Sequence, residues 1–124
     1  MTYNFLQVAL GGAIGASARY GVNLLAVRLV PGLPLGTLAV NVLGCLAMGL
    51  LTAMLMLRGG QHLAPLLLTG VLGGFTTFSA FALDAAALWE QGRGALALGY
   101  VLGSVVLSLL AVLAGLSIGR GAFT

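Results

Sequence analysis

The sequence predicts an all-α membrane protein with four helical spans and a break in the third. Of its 124 residues, 60% are hydrophobic and only 6% are charged, whereas a soluble surface needs roughly a quarter of charged positions. Four stretches without Asp, Glu, Lys or Arg are near or above the roughly 18 to 20 residues that cross a bilayer as a helix. These stretches are Met1–Ala18, Leu29–Leu57, Gly59–Leu83 and Gly94–Gly119. We therefore predict a single transmembrane domain over residues 1–124, with spans at about 4–27, 35–57, 63–89 and 95–118.

The break is predicted at Gly73 to Phe81, which reads GGFTTFSAF within the third span. Two glycines and two β-branched threonines form poor helix, and unwound backbone in a membrane is tolerated only where protein or water covers it. An interruption of this kind favours an ion or substrate site. The alternative is that Gly70-x-x-x-Gly74 simply lets two helices approach closely.

The arginines give little bias in membrane orientation. An even number of spans puts the termini, Arg58 and Arg120 on one side, and Arg28 and Arg93 on the other. Two arginines against two give almost no positive-inside signal, so the chain could insert either way up. Four spans also enclose little volume. We therefore predict an antiparallel homodimer of oppositely inserted copies; the alternative is a fixed orientation.

Polar residues in the first two spans are candidates for a conduction path. Arg19 lies a turn or two from the end of span one, where an arginine either snorkels to the headgroups or faces a wet vestibule. Thr37, Asn41 and Cys45 recur every fourth residue and share one face of span two. Asn41 is either a hydrogen-bonding contact between helices or a pore-lining residue.

Beyond the break, Phe78 and Phe81 are three residues apart and share a helical face, with Ser79 between them and Thr77 at the edge. Phenylalanines in a span usually face lipid or pack. Their ring edges carry positive charge, however, so a pair along a narrow path can face an anion without binding it tightly.

A hydroxyl stripe follows in span four, where Tyr100, Ser104 and Ser108 fall on one face. A single serine can bond the preceding backbone carbonyl. Three hydroxyls in a row favour a polar path instead.

The polar and aromatic residues of the four spans indicate a path for a small anion and not the active site of an enzyme. No span holds paired carboxylates, a Ser-His-Asp set or a Cys and His cluster. Asn, Ser, Thr and Tyr donate hydrogen bonds, which replace the hydration shell of an anion. Carbonyls exposed at the break could instead hold one hard cation such as Na⁺. The arginines are scattered singly, which argues against nucleic-acid binding.

Together, four motifs resemble the Fluc (CrcB) fluoride channel family over essentially the whole chain. They are GASARYG in span one, PLGTLAVNVLG entering span two, GVLGGFTTFSAF in span three, and the stripe of Tyr100, Ser104 and Ser108. The resemblance implies a dual-topology homodimer with two antiparallel pores in a bacterial plasma (inner) membrane. It also implies passive fluoride export and a bound structural Na⁺ that is not transported.

The resemblance also implies roles for individual residues. Phe78 and Phe81 resemble an aromatic box facing fluoride, and Asn41 resembles the amide that supports the path. Gly73 and Thr76 correspond to residues whose backbone carbonyls ligate Na⁺. The remaining matches are Tyr100, Ser104 and Ser108 as pore-side hydroxyls, Thr37 on the conduction path and Arg19 in the vestibule.

The chain departs from the family pattern at Ala80, where Thr is common. This substitution removes one hydroxyl beside the phenylalanines and bears on rate or selectivity. Two rival functions remain at this point. A small dual-topology, proton-coupled exporter needs a membrane-embedded carboxylate, which span one lacks. A non-transporting scaffold subunit needs only the glycine strips.

Overall fold

The computed structural model describes residues 2–124, which form long helices joined by short turns. Helix α1 spans Thr2–Leu29 and α2 spans Leu35–Arg58. A 3₁₀ turn, Gln61–Leu63, leads into a π-helical segment, Pro65–Leu72, and the short helix α3, Gly73–Phe75. Helices α4, Phe78–Glu90, and α5, Gly94–Phe123, complete the chain. The predicted all-α fold is confirmed, and no strand occurs within residues 2–124.

Three helical segments of the described chain are long and apolar enough to cross a membrane by length and composition. They are Leu35–Arg58, Gln61–Glu90 and Gly94–Phe123. Helix α1 has 28 residues, which is about 42 Å of helix, but is not among the three because it is less apolar. Three of the four predicted spans therefore correspond to helical segments that are long and apolar enough to cross a membrane.

Close contacts at glycines hold together two pairs of helical segments. In the first, α1 packs on residues 65–75, here called the half-helix. A Cβ on Gly15 would overlap the Val71 carbonyl, and a Cβ on Gly70 would lie 2.9 Å from the Cα of Gly11. In the second, α2 packs on α5, where a Cβ on Gly115 would overlap the Leu46 carbonyl. Small residues allow this backbone approach, as they do generally between membrane helices.

The break lies at the threonines and not at the glycines, which corrects the predicted boundaries. Gly73 and Gly74 are helical, whereas Thr76 (φ −91°, ψ 158°) and Thr77 (φ −154°, ψ 125°) are extended. The glycines serve close packing: a Cβ on Gly74 would lie 2.8 Å from the Gly12 carbonyl oxygen. Thr77 then starts α4 as its N-cap, its hydroxyl oxygen accepting the Ala80 N–H at 3.2 Å. The segment therefore contains an interruption, at Thr76 and Thr77, and a close helix contact, at Gly74.

Candidate functional site

Asn41 holds the unwound backbone of the break. Its Nδ2 donates to the Thr77 carbonyl at 3.0 Å, and its Oδ1 accepts the Thr77 N–H at 2.8 Å. The amide therefore pairs the Thr77 N–H, which has no helical partner, and adds a second donor to the Thr77 carbonyl, which as the N-cap carbonyl also begins the hydrogen bonding of α4. An amide nitrogen carries two hydrogens. The second N–H of the Asn41 side chain is therefore not used in holding the break.

A cleft of about 250 Å³ opens beside the break. Its surface is mostly apolar, and it is called the polar cleft here for the amide and hydroxyl groups that interrupt that surface. The polar cleft is lined by Asn41, Cys45, Thr76, Thr77, Phe78, Phe81, Ser104, Val105 and Ser108. Helices α2, α4 and α5 and the break itself therefore all contribute to it. It brings together six of the residues predicted for the path and Thr76 of the predicted metal site.

Ser104 is the least exposed residue predicted for the path, at 4% exposure. Its hydroxyl oxygen is buried and has no hydrogen-bond partner among residues 2–124. A buried hydroxyl without a partner is costly, and native structures contain few of them. Ser108, one turn further along α5, is half-buried and lines the same cleft.

Three aromatic rings form a row; Phe78 and Phe81 line the polar cleft, and Tyr100, which was predicted for the path, lies behind Phe81 and does not line it. The Phe78 and Phe81 ring centroids are 5.5 Å apart at 62°, an edge-to-face arrangement. The Phe81 and Tyr100 centroids are 5.3 Å apart at 44°. Phe81 and Tyr100 are each 8% exposed, whereas Phe78 is 78% exposed and ends the row at the surface. Of the three rings, only that of Phe81 contacts a ring on each side.

Asp84 was not predicted from the sequence to belong to the site, although it contacts Tyr100. The Tyr100 hydroxyl donates to its Oδ2 at 3.2 Å, so the single hydroxyl hydrogen of Tyr100 is already engaged. The Asp84 position, three residues after Phe81, puts both on one face of α4. This three-residue spacing was the signal in the sequence that could have placed Asp84 beside the predicted path.

Asp84 also lines a second cavity of about 380 Å³, which lies between the α1–α2 turn and α4. Thr37, Asn23 and Gln91 supply the other polar groups of this cavity. Thr37 is therefore found here and not in the polar cleft. Phe81 lines the polar cleft and packs on Tyr100, which bonds Asp84 of the second cavity. These contacts link the lining of the polar cleft to that of the second cavity.

Two further predicted residues lie outside both cavities. Arg19 donates from Nε to the Gly74 carbonyl at 3.0 Å, which fixes its guanidinium against the half-helix just before the break. Ser79 is exposed, and its hydroxyl lies 3.3 Å from that of Thr77. The structure therefore does not bring them together with the phenylalanines.

The carbonyls of Gly73 and Thr76 lose their normal helical donors at the break. The Thr77 N–H, which would bond Gly73 in a continuous helix, donates to Asn41. The Ala80 N–H, which would bond Thr76, donates to the Thr77 hydroxyl. Two hard oxygen ligands are thus freed, which fits a cation such as Na⁺. The described residues contain no cluster of His, Cys, Asp or Glu suited to another metal.

An all-helical membrane protein whose one broken helix borders a polar cleft belongs to the class that handles ions or small polar solutes within the bilayer. The chain belongs to the CrcB family: the family model described as "CrcB-like protein, Camphor Resistance (CrcB)" matches residues 6–116. The resemblance seen in the sequence is confirmed.

Curated relatives cover nearly the whole chain. It is 75% identical over 123 residues to "Fluoride-specific ion channel FluC" of Paracoccus denitrificans, which covers 99% of both proteins. Proteins of the same name from Cereibacter sphaeroides (53% identity, 98% of each) and Mesorhizobium japonicum (49% identity, 95% of this chain and 97% of the relative) are also similar. Because these relatives are ion channels, the prediction that the chain is not an enzyme is confirmed. Its predicted location in a bacterial inner membrane is confirmed as well.

Proposed function

We propose that the chain is a fluoride-selective channel that lets cytoplasmic fluoride leave the cell passively and so relieves fluoride toxicity. The names of relatives up to 75% identical support fluoride as the ion. The donors of the polar cleft support an anion of this size, because fluoride is small and strongly hydrated. Several closely spaced donors are needed to replace its water, and weak contacts at several points let it leave.

The buried Ser104 hydroxyl is the observation that carries this proposal. It lines the polar cleft, has no hydrogen-bond partner in the part of the chain that the structure describes, and has a hydrogen to donate. A fluoride ion in the cleft would accept that hydrogen and so offset the cost of burying the group. Ser108 and Thr77 extend the row of hydroxyls, and the free N–H of Asn41 adds an amide donor.

The rings contribute a weaker contact. Phe78 and Phe81 line the cleft beside these donors, and the edge of an aromatic ring carries partial positive charge. In this proposal the edges face fluoride at the narrowest part of its path. Tyr100 holds Phe81 in place through its ring, and Thr37 continues the path into the second cavity.

Arg19 and Ser79 act at the margins of the path in this account. The Arg19 guanidinium keeps one fixed positive charge near the break, which raises the local concentration of anions. Ser79 lies next to the Thr77 hydroxyl and extends the polar edge of the cleft towards the exposed surface.

We further propose that the channel is an antiparallel homodimer with Na⁺ at its centre. One chain frees only the carbonyls of Gly73 and Thr76, which is too few for a hard cation; a two-fold axis would double the set to four. The ion would hold the two breaks together and add positive charge beside the path. In this assembly α1 also crosses the bilayer, giving four spans in each copy.

Efflux from liposomes tests the proposal against its two rivals. Purified protein is reconstituted with fluoride or chloride inside, and release of each ion is followed after a potassium ionophore dissipates the membrane voltage. Rapid release of fluoride but not chloride supports the channel. Release that requires a pH gradient would support the proton-coupled exporter, and no release would support the scaffold subunit. Either of the last two results contradicts the proposed function.

A further inference from the structure

We propose that Cys45 is a covalent modification site on the ion path, through which a thiol-seeking metal such as mercury(II) stops fluoride flux. This inference rests on the proposed function of the polar cleft. Cys45 is the only cysteine in the sequence, is half-buried, and is not in a disulfide. Its side chain lines the polar cleft together with Asn41 and Phe81.

The position of Cys45 on α2 places its thiol beside the break. Cys45 follows Asn41 by four residues and so lies one turn away on the same face. Asn41 bonds both backbone groups of Thr77. At the preceding position a Cβ on Gly44 would overlap the Thr76 methyl group, so α2 and the break are in direct contact there.

A second observation marks the space next to Cys45 as one that holds a ligand. Ser104 lines the same cleft and is only 4% exposed, and its hydroxyl has no hydrogen-bond partner in the described chain. Whatever satisfies that hydroxyl occupies the space that a group attached to Cys45 would enter. The cleft is about 250 Å³, so a heavy atom and its remaining ligand would take up part of a path for a single small ion.

The chemistry is a ligand exchange without oxidation or reduction. The thiol S–H bond breaks and an Sγ–Hg bond forms, while one chloride leaves mercury(II) chloride with the electron pair of its Hg–Cl bond. The thiol proton goes to solution. Sulfur is a soft ligand that prefers soft metals. Neutral mercury(II) chloride is suited to reach a thiol within the membrane because it carries no charge to desolvate.

The experiment uses the full-length protein in liposomes and expresses each flux relative to the same sample before treatment. Mercury(II) chloride should lower fluoride efflux by about ten-fold or more, which corresponds to an added barrier of about 1.4 kcal/mol. Dithiothreitol should restore the flux, and intact mass spectrometry should show one mercury per chain. Cys45→Ala should be resistant.

A matched control moves the thiol to the opposite side of the same helix. Leu43 is 53% exposed and lies about 200° around α2 from Cys45. In the Leu43→Cys, Cys45→Ala double variant, mercury should bind without lowering flux. Mercury binding to Cys45 that leaves flux intact, no binding at Cys45, or inhibition that persists in Cys45→Ala would each overturn the inference. Absence of fluoride flux before treatment would instead contradict the proposed function itself.

Discussion

Replacing Ser104 by alanine should lower fluoride flux without weakening the fold. The Ser104 hydroxyl is buried and bonds nothing in the described chain, and an unsatisfied buried polar group costs about 1–3 kcal/mol. Alanine removes that group and leaves the backbone of α5 unchanged. The free energy of unfolding should therefore stay the same or rise by about 1 kcal/mol.

The same substitution should lower fluoride flux, although it keeps or raises the unfolding free energy. A hydrogen bond to a charged group contributes about 1.5–3 kcal/mol, and each 1.36 kcal/mol changes a rate ten-fold. Loss of one donor to fluoride at the top of the barrier should therefore slow efflux by about ten-fold to about one hundred-fold. A residue with a purely structural role would lose stability and flux together.

The assay compares Ser104→Ala with Ser117→Ala on the same helix, where Ser117 is exposed and outside both cavities. Initial fluoride efflux per reconstituted protein gives the rate, and thermal unfolding in detergent gives the stability. Wild-type flux from Ser104→Ala would refute the donor role. A fall of more than about 1 kcal/mol in its unfolding free energy would show that the hydroxyl has a structural partner.

Three further substitutions test other parts of the account. Phe81→Ile keeps the site apolar but removes both ring contacts, so fluoride efflux should be abolished while dimer size on a sizing column is unchanged; Phe5→Ile, at an exposed position, should conduct normally. Asn41→Ala leaves the Thr77 N–H unpaired and should lower the unfolding free energy by about 1–3 kcal/mol; an unchanged melting curve would show that Asn41 does not stabilise the break. Gly15→Ala should destabilise by about 1–3 kcal/mol because its Cβ overlaps a carbonyl, whereas Gly12→Ala, with open space, should stabilise slightly. Equal melting temperatures for the two glycine variants would rule out the predicted packing.

The helices were predictable because a lipid environment leaves the sequence few choices. A long run without charge must form a helix to satisfy its backbone, so both ends of α2 and the start of α5 were predicted to within one residue, and the end of α5 lies five residues beyond its predicted position. The break was predicted too broadly, over Gly73 to Phe81, in part because Gly73 and Gly74 are poor helix formers in isolation. In the folded chain, packing against α1 decides their conformation, and Thr77 starts the new helix through its hydroxyl. The π-helical segment, Pro65–Leu72, has no signal in the sequence that we can identify.

The residues of the candidate site were mostly predictable by helical spacing, and their mutual contacts were not. The spacing of Phe78 and Phe81, and of Ser104 and Ser108, gave the faces that line the polar cleft. The bond between Tyr100 and Asp84 depends on how α4 and α5 meet, which no single-helix pattern contains. Arg19 shows the same limit, because its partner is a backbone carbonyl of another helix.

The reversal potential of a single reconstituted channel tests the central claim most directly. With fluoride ten-fold more concentrated on one side of a planar bilayer, a passive fluoride-selective path should reverse at about 59 mV, the equilibrium potential of a monovalent ion. Adding a chloride or proton gradient should leave that value unchanged. A reversal potential that follows chloride, or one that moves with the pH difference, would contradict the account.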